Sequence, residues 1–401
     1  MEAPLRRNRE FVALWVGQAV SNLGIGISSF AYPLVVLAAT GSALRAGTVG
    51  TVLAATAFVL RLPAGALVDR LPRKRVLVLC DLGRAVNSGG LAAALALGHF
   101  WYAHVLAVAF VEAALGVLFG PAETAAVRRV VGPERVREAV AANASRASLP
   151  GVIGPPLGGV LLAGGRALPF VADAASYAAS LACVLTVRTP LGPDRPAAAP
   201  ASRPVAQVFD GIRWLLRDPF LRTILFLFMW FGLALGSIGL VLLVLARDTG
   251  AGPGEIGLMY AITGAGSVLG AFATRRLTRR APPYVLVLLF AWLAAGATCS
   301  LVLLDSAIAF GFVGAVPFFF VPPLNAVLFG RIAERAPDEL QGRATSAAIQ
   351  LASLLAPVGP VAAGALIGAV GPEHTALAYG ALIGVIALFA TLTPALRAEP
   401  A

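Results

Sequence analysis

The sequence predicts an all-α polytopic membrane protein, with twelve transmembrane helices in two pseudo-symmetric six-helix bundles. Three observations predict it. The chain of 401 residues is 58% hydrophobic and only 13% charged, and its mean hydropathy is +0.84, well outside the averages of a soluble domain. A bilayer core of about 30 Å takes about 20 apolar residues per helix, so twelve crossings use about 240 residues, close to the apolar share present. Lastly, two unrelated motifs each occur twice at one common offset along the chain.

Apolar runs between charged or Pro/Gly-rich breaks place the crossings near 11 to 39, 48 to 68, 76 to 97, 102 to 122, 147 to 165 and 168 to 187. The second six lie near 219 to 246, 255 to 274, 284 to 304, 307 to 329, 345 to 369 and 375 to 393. The start, with Arg6, Arg7 and Arg9 before an apolar stretch from Phe11 to about Ala39, superficially resembles a signal peptide. That stretch is far too long for one, and we read it as a retained first crossing. Between the sixth and seventh crossings, Arg188 to Asp218 holds a Pro/Ala-rich run and then the apolar positions Val205, Val208, Phe209, Ile212, Leu215 and Leu216, spaced for an amphipathic helix. This segment reads as a linker whose helix lies along the membrane surface, so the chain divides into residues 1–187, 188–218 and 219–401.

The net charge of +11 would suggest nucleic acid in a soluble protein, but here placement decides. Of the 31 basic residues, Arg45, Arg166 and Arg247 fall in loops on one side and Arg61 and Arg84 inside helices, and all the others fall on the opposite side. The positive-inside rule then puts both termini in the cytoplasm and turns the charge into topology, so no nucleic-acid partner is expected. Lys74 is the only lysine, which excludes a Walker loop and with it an ATPase. Cys80, Cys183 and Cys299 lie in apolar runs, and His99, His104 and His374 do not pair with them at metal-ligand spacing. No disulfide, structural metal or cofactor is expected, and the absence of a cluster of catalytic groups at one depth argues against an enzyme.

The recurring motifs are Gly65-x-x-x-Asp69-Arg70-x-x-Arg73-Lys74-Arg75, matched by Gly270-x-x-x-Thr274-Arg275-Arg276-x-x-Arg279-Arg280, and Gly154-Pro155-x-x-Gly158-Gly159, matched by Gly359-Pro360-x-x-Ala363-Gly364. Both point to two parallel repeats of six helices. On these residues the chain resembles the major facilitator superfamily, and the Gly154 motif resembles the signature of its proton-driven exporters. Leu14-Trp15-x-x-Gln18-x-x-Ser21-Asn22, Asp81-Leu82-Gly83-Arg84 and Asp173-Ala174-Ala175-Ser176-Tyr177 are similar to the branch that contains macrolide-efflux and enterobactin-exporter proteins.

The resemblance implies that Gly65, Asp69, Arg70, Arg73 and Arg75 form a conformational latch, with Asp69 against the start of the eleventh helix near Thr345 and Ser346. Pro72 stands where the family often has Gly and stiffens that turn; the alternative is that the arginines serve topology alone. Gly154, Gly158 and Gly159 would let helices approach closely, and Pro155 would bend the fifth.

Five charges lie inside helices of the first half: Arg61, Asp81, Arg84, Glu112 and Asp173. An unpaired charge at a helix centre costs roughly 2.5 to 3.5 kcal/mol, so they must be paired, protonated or in water. Arg61, Asp81 and Arg84 share a depth and are expected to form an ion-pair cluster. Glu112, near mid-membrane with no basic residue elsewhere on its helix, stands where many related exporters carry Arg. It is a candidate proton-coupling or substrate-charge carboxylate, against a neutral packing Glu or a partner such as Arg61. Asp173 heads a stripe with Ser176, Tyr177 and Ser180 that suits interhelical hydrogen bonding or proton entry, and Asp81 is a third candidate. Gln18, Ser21, Asn22, Tyr177, Trp230 and Asn325 are possible cavity lining, with Met229, Phe231, Phe318, Phe319 and Phe320 either lining or packing. A mostly apolar second half suits lipophilic, weakly basic or zwitterionic solutes.

The expected function is export of small amphipathic molecules (drug, antibiotic or siderophore-like) across a bacterial cell membrane by alternating access, as a monomer with protons as coupling ion. The alternative is uptake or facilitated diffusion of a metabolite.

Overall fold

The computed structural model describes residues 5–68, 70–147, 149–192 and 204–396, and among them every regular element is helical. The first half holds α1 (Arg9–Thr40), α2 (Ala43–Val68), α3 (Arg73–Ala96), α4 (Tyr102–Val131), α5 (Val136–Ala147), α6 (Leu149–Gly164) and α7 (Leu168–Thr186). The second holds α8 (Pro204–Arg217), α9 (Pro219–Asp248), α10 (Pro253–Arg280), α11 (Pro283–Ser300), α12 (Ala307–Arg335), α13 (Asp338–Ala352), α14 (Val358–Val370) and α15 (Pro372–Leu392). Among the described residues, ten helices are long and apolar enough to cross a membrane, and two shorter apolar helices, Pro150–Gly164 and Val358–Val370, stand at the expected fifth and eleventh positions.

The eleventh crossing, expected as one helix over 345 to 369, is broken: α13 ends at Ala352, and α14 begins only at Val358. Pro357, directly before Val358, has no amide to give an uninterrupted helix and stands where the chain restarts, whereas Pro155 and Pro156 lie inside α6 and Pro360 in the first turn of α14. Turns between helices are closed by glycines with positive φ, such as Gly132 (73°) and Gly371 (84°), a region other residues rarely adopt.

The chain folds as two compact units. Unit 1 is Met1–Ala39 with Val52–Ala201, and unit 2 is Thr40–Thr51 with Ser202–Ala401. In unit 1, α3 packs between α4 and α7. α6 rests on α1 through glycines: a Cβ on Gly154 would stand 2.7 Å from Gly26 Cα, and one on Gly158 would stand 2.8 Å from Phe30 Cδ1. In unit 2, α10 packs along α12 and α11 along α15. The amphipathic helix α8 lies on α13, with Gly211 against the Arg343 carbonyl and Leu215 fully buried, while Phe209 and Leu216 stay exposed.

Unit 2 also contains the first turns of α2, and they service the break in the eleventh crossing. Thr51 Oγ1 donates to the Pro357 carbonyl at 2.8 Å and accepts the Val361 amide at 3.1 Å. Those are the two groups that would bond to each other in the first rung of α14, so the hydroxyl is inserted into that rung and satisfies both of them. Gly47 and Gly364 keep the approach open, since a Cβ on either would strike the carbonyl of Pro360 or Ala43.

Asp218 starts α9. Its Oδ1 accepts the amides of Phe220 (2.8 Å) and Leu221 (3.1 Å), and its Oδ2 lies 2.7 Å from Arg335 Nη1. Burial works upward on this carboxyl, but the Leu221 and Phe220 amides and the Arg335 guanidinium outweigh it and hold it below the ordinary carboxylate value.

Two outcomes follow for purified protein in detergent. Thr51→Val strands a half-buried carbonyl and amide and lowers unfolding stability by about 1–3 kcal/mol, whereas Thr51→Ser keeps most of it; thermal unfolding with chemical denaturant titration reads both. Asp218→Ala costs about 1 kcal/mol as a lost helix cap, and Asp218→Asn less. Because the folded carboxyl titrates below its unfolded value, the ion-pair part of this contribution is present above the unfolded pKa and disappears as pH falls through the folded one, which an acid titration of stability checks.

Candidate functional site

The polar residues of unit 1 converge on one buried seam where α1, α3, α4 and α7 meet. Its centre is the guanidinium of Arg84, whose Nη2 lies 2.8 Å from Glu112 Oε1, with both side chains nearly inaccessible. The Tyr177 hydroxyl donates to the same Glu112 oxygen. The Arg84 Cζ sits 4.7 Å from the centre of the Tyr177 ring, so one tyrosine serves the carboxylate with its edge and the cation with its face. Gly116, one turn after Glu112, makes room: a Cβ there would stand 2.7 Å from Arg84 Nη2.

Two further carboxylates flank this pair. Ser180 Oγ donates to Asp81 Oδ2 at 2.7 Å and receives Gln18 Nε2 at 3.1 Å, a chain from α1 through α7 to α3. Ser88 Oγ donates to Asp173 Oδ2 at 2.8 Å, and Ser176 Oγ is tied to the Asp173 carbonyl at 2.7 Å. Asp81 and Asp173 are fully buried. Asp81 Oδ1, Asp173 Oδ1 and Glu112 Oε2 have no hydrogen-bond partner among the described residues. Every member of the α7 stripe is therefore used: Asp173, Ser176, Tyr177 and Ser180 lie within two turns on one face, each at i+3 or i+4 from another.

The expected cluster of Arg61, Asp81 and Arg84 is not what the structure brings together. Arg84 pairs across to α4, Asp81 bonds to α7, and Arg61 takes part in none of the ion pairs formed among the described residues. Asp81 and Arg84 are three residues apart on α3, but Asp81 is bonded to Ser180 of α7, while Arg84 pairs with Glu112 of α4 and lies over the Tyr177 ring of α7. Glu112, read as lacking a close basic partner, has one in Arg84.

A cavity of about 470 Å³ opens on this centre from within unit 1, walled by α1, α2, α3 and α4, with Arg61, Arg84 and Glu112 as its charged lining. Gly116 and Gly120 continue the Glu112 stripe along the wall.

Of the other expected site residues, Ser21 is buried and Asn22 half-buried. Trp230 packs edge-on against Phe226, with ring centres 6.4 Å apart, and Phe231, Phe290 and Phe320 form a stacked core, so these aromatics of unit 2 pack against one another. Asn325 is exposed. Asp69 lies outside the described residues. Arg70 and Arg75 are exposed, while Arg73 is buried and donates to the Gly192 carbonyl at 2.5 Å, and Lys74 donates to that of Val187 at 2.6 Å. These two bind the start of α3 to the chain leaving α7. A Cβ on Gly65 would meet nothing within 4 Å, although its counterpart Gly270 abuts the Phe319 carbonyl. Gly154, Pro155, Gly158 and Gly159 are all buried. Reading from sequence missed Ser88, and also the buried pair of Glu123 and Arg146 at 2.6 Å, which joins α4 to α5. The spacing of Ser88, seven residues after Asp81 on α3, was the available signal.

The sequence profile of the Major Facilitator Superfamily matches residues 14–357. The chain belongs to this superfamily. As a member it is a multi-pass membrane protein that moves a small-molecule substrate, and it is not an enzyme. It is 30% identical to the multidrug efflux pump Tap of Mycolicibacterium fortuitum, over 94% of each chain. It is 27% identical to the enterobactin exporter EntS of Shigella flexneri, over 81% of this chain and 74% of that one. Among solved structures it superposes on a bacterial homologue of the human lysosomal transporter Spinster, in its inward-facing, unoccupied conformation. The TM-score is 0.76 at 16% identity, over 100% of both chains, a likeness of fold. The superfamily fold accounts for the paired sets of six crossings; the Arg84 seam belongs to unit 1 alone.

A buried pair loses more by being broken than by being removed. Glu112→Gln is expected to destabilise the protein by about 3 kcal/mol or more, and Arg84→Met with Glu112→Gln together by clearly less than the sum of the single changes. A double-mutant cycle of unfolding midpoints reads the difference.

Proposed function

We propose that this transporter exports small amphipathic molecules, of the drug, antibiotic or siderophore kind, from a bacterial cell in exchange for protons. Two helical halves, residues 1–187 and 219–401, alternate in access about the joint at 188–218, with both termini in the cytoplasm and one chain as the working unit. The observation that carries this reading is a count of charge. Around one buried guanidinium, Arg84, stand three buried carboxylates, Asp81, Glu112 and Asp173, on three neighbouring helices. One cation balances one carboxylate, and hydrocarbon does not tolerate two more as anions. Glu112 is bound to Arg84 and Tyr177, which makes it the standing counter-ion. Asp81 and Asp173, each with one oxygen bonded by a serine and one without a partner, are the groups that take up and release protons as the cavity changes access. Two relatives of known export function, for a siderophore and for drugs, support the direction.

The test is transport into everted membrane vesicles with an imposed pH gradient, screened with amphipathic antibiotics and siderophores. Accumulation that collapses on adding an uncoupler is the expected result. Asp173→Asn is expected to abolish gradient-driven accumulation while retaining counterflow of the same compound, the behaviour of a coupling group rather than a binding group. Counterflow by the wild type with no pH dependence at all would replace this reading with uptake or facilitated diffusion.

A further inference from the structure

Arg61 is the one charged group at the cavity that the seam leaves over. It sits on α2 seven residues before Val68, about 10 Å of helix from that end, and its side chain is exposed rather than packed. It lines the 470 Å³ cavity together with Arg84 and Glu112. Those two neutralise each other at 2.8 Å, so the charged lining carries a net single positive charge, and that charge is Arg61. A lone guanidinium at membrane depth is expensive unless it faces water or an anion.

The rest of the wall says what kind of anion. Leu53, Ala57 and Val117 present apolar surface beside Arg61. A Cβ on Gly120 would meet nothing within 4 Å, so that part of the wall is space. The volume falls in the range of about 300–1,000 Å³ that small-molecule sites occupy. A guanidinium is a planar fork of donors that matches a carboxylate or sulfonate with two parallel bonds. A cationic solute would instead have to draw Glu112 from Arg84 and leave two guanidiniums facing it.

We propose that the cavity of unit 1 binds solutes with an apolar body and one anionic group, and that Arg61 receives the anionic group. This rests on the transport reading of the same cavity and narrows its substrate class to amphipathic anions and to zwitterions bound by their acidic end, leaving out the weakly basic solutes that the apolar second half suggested.

Two dyes with one body separate charge from hydrophobicity: 1-anilinonaphthalene-8-sulfonate, an anion, and N-phenyl-1-naphthylamine, its neutral counterpart. The full chain in lipid nanodiscs is titrated with each, with empty nanodiscs subtracted. The sulfonate is expected to bind saturably and about tenfold or more tightly than the neutral dye. Arg61→Gln is expected to remove that preference and leave the neutral dye within about twofold, and Arg61→Lys to retain a good part of it. Equal binding of the two dyes by the wild type, or an unchanged preference in a folded Arg61→Gln protein, overturns the proposal. If Arg61→Gln does not elute as a single species, displacement of the sulfonate dye from the wild type decides: naphthalene-1-sulfonate should compete and 1-naphthylamine should not, and the reverse order overturns it. The two readings fail separately. Gradient-driven export of amphipaths by a protein with no anion preference removes the Arg61 site and keeps the exporter, while a selective Arg61 site in a protein without gradient-driven transport removes the exporter and keeps the site.

Discussion

A guanidinium inside a membrane-spanning bundle constrains everything around it, because no lipid or solvent can stand in for a misplaced partner. Arg84 needs the Glu112 oxygen at 2.8 Å and the Tyr177 ring under its Cζ at 4.7 Å. These three come from α3, α4 and α7, so the register of three helices is fixed by one side chain: a slip of one residue along any of them turns a neutral cluster into a stranded charge. Small residues around the seam follow from the same need. Gly116 leaves the guanidinium its place, and Gly24 on α1 leaves room for Asp173 and Ser176, where a Cβ would collide. In lipid, where apolar surface alone gives helices little reason to associate, this polar seam and the glycine contacts of α1 with α6 supply the specificity of unit 1.

Unit 2 meets the same demand by other means. It has no deep charge among its described residues comparable to Arg84, and its core is aromatic and aliphatic, with Phe231, Phe290 and Phe320 stacked edge to face or tilted. Its polar problem is the interrupted eleventh crossing, and one hydroxyl, Thr51, stands in the first rung of the helix that restarts there, between the Pro357 carbonyl and the Val361 amide. The repeat is therefore a repeat of backbone more than of chemistry. Gly270 is needed because the Phe319 carbonyl lies against it, whereas Gly65 at the same place in the first repeat has open space. A motif can persist at both positions while only one of them uses it for packing.

What could be read from the amino acids follows the physics of each feature. The crossings were legible because a bilayer demands long apolar runs, and α1, α9 and α15 end within a few residues of expectation. The gap between Ala352 and Val358 was not, since hydropathy averages over a window and does not register a backbone that stops bonding to itself. The stripe from Asp173 to Ser180 was legible from helical period. The choice of partner was not: Asp81 and Arg84 look like neighbours on an isolated helix, and only the packing of α3 against α4 and α7 gives Asp81 the Ser180 hydroxyl and Arg84 the Glu112 carboxylate and Tyr177 ring. Arg146 shows the opposite error, a charge assigned to topology that is buried against Glu123. Arg73 and Lys74 share it in part, since basic residues at a membrane edge also have backbone carbonyls to satisfy.

Glu112 belongs to both the seam and the cavity, and this has a consequence for coupling. An anion proposed to sit at Arg61 would share a wall with Glu112, and a proton carried on that same wall would travel with the anion, the opposite of exchange. An exchanger of anionic solutes needs its proton on carboxylates that compete with the solute through a change of access rather than share a surface with it. On the proposed reading Asp81 and Asp173 would meet that condition: neither is among the residues lining the cavity, and each is held by a serine. On the proposed reading, the Arg84–Glu112 pair would stay together at the cavity wall while the protons moved on the other two carboxylates.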